Sequence, residues 1–121
     1  MAVPILKQGD VLIASIQDAL SDQDLVRLRD DLADRVGRLR IRGVIIDITA
    51  LDVVDSFASR TLRSIADIAT LRGASTVVVG IQPEVAFAMV QLGLSMDSTA
   101  TAIDLEDGLA VLASRGGRHA R

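Results

Sequence analysis

Val44-Ile45-Ile46-Asp47-Ile48-Thr49-Ala50-Leu51-Asp52-Val53-Val54-Asp55-Ser56-Phe57 decides how this chain is read. Gly43 to Ile48 is nearly continuously apolar and β-branched, the pattern of a central strand covered on both faces. An acidic loop follows, and then Ser56 opens a helix predicted to run to about Leu71. Ala58, Leu62, Ile65 and Ala69 fall on one face of that helix, and Gly73 closes it.

The same alternation continues outward in both directions. Upstream, Val11 to Ile16 reads as a second buried strand, and Pro4 to Lys7 as an edge strand joined to it by a turn at Gln8-Gly9-Asp10. Ser21 and Asp22 offer N-caps for a helix through about Leu39, whose Leu25, Leu28, Leu32, Val36 and Leu39 recur at helical spacing. Downstream, Ser75 to Gly80 is a third buried strand. Gln82-Pro83-Glu84 starts a helix carrying Val85, Met89, Val90 and Leu92 and ending at Gly93. Ser98 to Ile103 is a last short strand, and Asp104 caps a final helix with Leu105, Leu109 and Leu112 on its core side. This order predicts a single α/β domain with a mostly parallel sheet of four to five strands and about four helices. The domain is placed at residues 1–114, with 115–121 as a disordered Arg/Gly tail.

Composition narrows the function. Half of the 121 residues are hydrophobic, so a folded core is expected. Two Phe and no Tyr or Trp leave no stacking platform, and a net charge of −3 is the wrong sign for nucleic acid. No apolar run approaches the roughly 20 residues of a membrane span, and the first residues lack signal-peptide features, so a cytoplasmic protein is expected. There is no cysteine, Lys7 is the single lysine, and His119, the single histidine, falls in the tail. Histidine triads, zinc sites and phosphate-binding glycine loops therefore have no residues to build them. No enzyme, cofactor or metal is expected.

Two readings compete in the acidic loop. Asp47, Asp52 and Asp55 could converge on magnesium, or Asp47 could hydrogen-bond a neighbouring loop while the other two remain ordinary loop carboxylates. A phosphoaspartate receiver would need paired acids after the first strand and a late lysine, and the chain has neither. Ser56 is read as an N-cap and as a phosphorylation site, two roles that are compatible. Ser59, one turn on, is a competing acceptor read as a solvent-facing helix residue.

Strand, acidic loop, Asp55-Ser56-Phe57 and helix together resemble the STAS domains of anti-sigma-factor antagonists and sulphate-transporter tails. Pro4-Ile5-Leu6-Lys7, Ser15-Ile16-Gln17, Val44-Ile45-Ile46-Asp47, Gly80-Ile81-Gln82-Pro83 and Asp104-Leu105-Glu106-Asp107-Gly108-Leu109 extend the resemblance to the RsbS-type scaffolds of the bacterial stressosome. The resemblance implies that Ser56 is phosphorylated by an RsbT-type switch serine kinase and dephosphorylated by a PP2C-like phosphatase. It implies assembly with RsbR-type sensor proteins, homo-oligomerisation as a dimer, and partner contacts at Asp52, Asp55, Ser56, Phe57 and Gln82. The unmodified scaffold would hold the kinase and the modified one release it. A stand-alone antagonist binding an anti-sigma kinase directly, or a small-ligand-binding STAS module, are the alternatives.

Overall fold

In the computed structural model, residues 3–92 and 99–119 are described, with side chains as far as Arg115. Five strands pair in sequence order: β1 (Ile5–Gln8), β2 (Val11–Ser15), β3 (Gly43–Asp47), β4 (Ser75–Val79) and β5 (Thr99–Ala102). β1 is antiparallel to β2 across the turn at Gly9-Asp10, and the other pairs are parallel. The helices are α1 (Asp22–Arg38), α2 (Ser56–Leu71), α3 (Pro83–Gln91) and α4 (Leu105–His119). The backbone thus continues as helix past Ser114, where the sequence places the start of the tail.

The strand order dictates where the helices sit. Right-handed crossovers that all step in the same direction leave their helices on one side of the sheet. Accordingly, the buried residues of α1, α2 and α3 share one core cluster with Leu12, Val44, Ile46 and Val78. Among the described residues the other side carries only α4, where Leu112 and Leu109 pack with Ile13, Ile45, Val77 and Val79. α4 lies close to the sheet because Gly108 faces it: a Cβ there would come 2.8 Å from Val79 Cγ1.

α1 and α2 end in the same way. Ile41 N–H reaches back to the Val36 carbonyl at 3.0 Å, and Ala74 N–H to the Ala69 carbonyl at 2.8 Å. Each is the long bond of a Schellman motif, which needs a left-handed residue after the helix. Gly73 fills that place at φ 92°, but Arg40 fills it at φ 53°.

Several expected core positions lie outside the core. Val85 and Met89 hold α3 inward, while Val90 and Leu92 are exposed, as is Phe87. α3 is apolar on nearly every side, so its period does not say which pair is buried. Leu105 is also exposed, and Leu112 with half-buried Leu109 anchors α4 instead. The expected helix stop at Gly93 and strand start at Ser98 lie outside the described residues.

Candidate functional site

β3 delivers Asp47 to the carboxyl end of the sheet, and the next eight residues form the loop that presents Ser56. Three polar contacts fix that loop. The Asp47 carboxylate accepts from Thr49 N–H at 2.9 Å and from the Thr49 hydroxyl at 2.6 Å. Gln82 Nε2, at the start of α3, donates to the Thr49 carbonyl at 2.7 Å. Gly80, at φ 76°, lies directly under Thr49, and a Cβ there would collide with its side chain. Leu51 and Val54 are buried and pin the loop to the core, leaving Asp52 and Val53 outward.

The helix start differs from the sequence reading. Asp55, not Ser56, is the N-cap: its carboxylate accepts from Ala58 N–H at 2.8 Å. Ser56 is the first helical residue and is half-buried, and its hydroxyl forms no hydrogen bond among the described residues. Both residue types rank at the top of cap preference, so their order alone could not assign the role.

Ser59 also departs from expectation. It is not solvent-facing but 1% exposed, with its hydroxyl buried and without a hydrogen-bond partner among the described residues. The buried side of α2 is wider than the four-residue face read from sequence, because Ser59, Thr61 and Ala66 are covered too. A kinase has no access to a hydroxyl so placed without local opening of the helix.

Asp52, Asp55, Ser56 and Phe57 all lie in the end of this loop and the first turn of α2. Asp52 and Asp55 are exposed, and Phe57 is half-buried. Gln82 joins them as the tether of the loop, its amide engaged by the Thr49 carbonyl. Asp47 and Asp55 spend their carboxylates on the loop and the cap, which favours the structural reading over convergence on magnesium. Among the described residues no group of three or more acidic or histidine side chains could hold a metal ion. Sequence reading missed Val53, which is 71% exposed and lines, with Asp55, a mainly aliphatic recess of about 110 Å³. Ile16, Leu20, Leu25, Val54 and Ala58 line that recess between the β2–α1 loop and the start of α2.

A STAS domain model matches residues 2–106, most of the chain. The chain belongs to the STAS family. Within it, a structure of a serine-to-glutamate variant of RsbS from Moorella thermoacetica matches at TM-score 0.85 and 37% identity, covering 94% of this chain and 97% of that one. A chain from a structure of the stressosome, described as a signal integration and transduction hub, matches at TM-score 0.82 and 37% identity, covering 93% and 98%. The RsbT co-antagonist protein RsbRA of Bacillus subtilis (strain 168) is 25% identical over 107 residues, covering 88% of this chain. This STAS domain spans only 38% of RsbRA. It is a stressosome-related STAS domain, similar to RsbS over nearly its whole length. No helix among the described residues is long and apolar enough to cross a membrane.

Proposed function

We propose that this STAS domain is a scaffold that holds an RsbT-type serine kinase and releases it when Ser56 is phosphorylated. The observation that carries this reading is the division of labour at the start of α2. Asp55 does the capping, so the Ser56 hydroxyl has no structural duty to lose. Likeness to RsbS and stressosome chains over almost the whole domain supports the choice of partner.

A phosphate on Ser56 would add about −1.5 to −2 charges to this surface. The α2 dipole favours an anion at this end by about 0.3–2 kcal/mol. Asp55 opposes it, because its carboxylate is adjacent and already engages the Ala58 N–H. The two effects oppose each other, so the fold should change little. Docking is affected far more, since burying an unpaired charge against a partner costs several kcal/mol. Exposed Val53 and the recess it lines, three residues before Ser56, would supply the apolar part of that docking surface.

In this scheme RsbR-type proteins co-assemble with the domain in a large cytoplasmic complex, and a PP2C-like phosphatase resets the serine. Incubation with an RsbT-type kinase and ATP, followed by intact-mass analysis and peptide mapping, tests the site. One phosphoryl group on Ser56, lost in Ser56→Ala, is expected. Label that persists in that variant, or that maps to Ser59, overturns the assignment. Mixing with an RsbR-type partner should give an assembly of megadalton size. A small dimeric complex would instead favour direct antagonism of an anti-sigma kinase.

A further inference from the structure

A cleft of about 800 Å³ opens at the amino ends of β2, β3 and β4, the opposite end of the sheet from Ser56. Its origin is the uneven covering of the sheet. Among the described residues, α4 packs on β3, β4 and β5 and leaves the β2 side of that face open at its amino end.

The cleft has two chemistries. Its aliphatic lining is Val11 of β2 and Leu109, Leu112 and Ala113 of α4. Its rim carries Arg42 and Arg115, which form no ion pair or side-chain hydrogen bond among the described residues. The backbone of Arg42 is fixed: its N–H donates to the Asp10 carbonyl at 2.8 Å, and its carbonyl accepts from Ser75 N–H at 3.0 Å. Asp10 is the one carboxylate in the lining, so the two guanidiniums leave a positive surplus. Guanidinium is suited to planar, bidentate recognition of carboxylate and phosphate. The lining holds no aromatic ring, so a stacked base or aromatic ligand has no platform. The volume lies within the roughly 300–1,000 Å³ of small-molecule sites.

We propose that this cleft binds a small anionic amphipath, with an aliphatic chain on the α4 side and a carboxylate or phosphate head at Arg42 and Arg115. The site is independent of the Ser56 switch, being at the other end of the strands.

Isothermal titration of the full chain with dodecanoate and with dodecyl phosphate, each below its micelle concentration, tests it. Dodecyltrimethylammonium serves as the cationic control. Saturable binding of at least one anionic probe is expected, with none of the cation, and the better probe identifies the head group. Arg42→Gln and Arg115→Gln should each weaken binding about tenfold, as expected for losing a charged hydrogen bond. Asp10→Asn should tighten it. Ala113→Phe, an exposed position that would fill the cleft, should abolish it. Ser56→Asp should bind as the unmodified chain does, so failure of the kinase switch and failure of this site are separable. Absence of saturable binding by both anions overturns the proposal. So does equal binding of the cation, or undiminished binding by the arginine variants.

Discussion

α1 and α2 begin with the same two residue types in opposite order. At α1, Ser21 precedes Asp22, and the serine hydroxyl accepts from Asp24 N–H at 3.1 Å. At α2, Asp55 precedes Ser56, and the carboxylate takes the equivalent bond to Ala58 N–H at 2.8 Å. A serine that caps has its hydroxyl engaged by its own helix, whereas the serine one place later at α2 does not. The difference separates a serine with a capping bond from one without, on helices that pack against each other in one core.

The comparison can be broken most easily at Asp55. Asp55→Ala should destabilise the domain by about 1–2 kcal/mol, the upper part of the cap range because the bond is charge-assisted. Urea denaturation would measure it, and an unchanged midpoint would mean that Asp55 is not the cap. Ser21→Ala should cost about 1 kcal/mol by the same measurement. The opposite ends of these helices sharpen the contrast further. Arg40 holds a left-handed conformation that Gly73 holds without strain at α2. Arg40→Gly should therefore stabilise by roughly 0.5–1 kcal/mol, the relief of left-handed strain less the greater freedom of an unfolded glycine. The smallest effect belongs to Ser56→Ala, expected within about 0.5 kcal/mol of the unmodified protein. A loss as large as that of Ser21→Ala would show that Ser56 has a structural duty after all.

Much of this was legible in the sequence, because the signals were periodic or steric. The apolar runs at Val11 to Ser15, Gly43 to Asp47 and Ser75 to Val79 are strands, and Pro83 opens α3. The sequence also placed Ser56 at the start of α2 after the loop that follows a central strand, which is where it lies. What it could not show depends on packing in three dimensions. Ser59 is buried because α2 meets both the sheet and α1, so its covered side spans more than one narrow stripe. Gln82 and Thr49 are 33 residues apart, and only the fold brings the amide to the carbonyl. The choice between Val85 with Met89 and Phe87 with Val90 as the inner pair of α3 is likewise made by the sheet.

The switch is best tested by measuring kinase affinity and fold stability on the same preparations, with Ser56 unmodified and phosphorylated. The Kd for the kinase should rise at least about tenfold, equivalent to roughly 1.4 kcal/mol. The urea midpoint should stay where it was, with stability altered by less than about 0.5 kcal/mol. Equal affinity of the two forms, or a loss of binding matched by an equal loss of stability, would contradict a charge that acts at the docking surface alone.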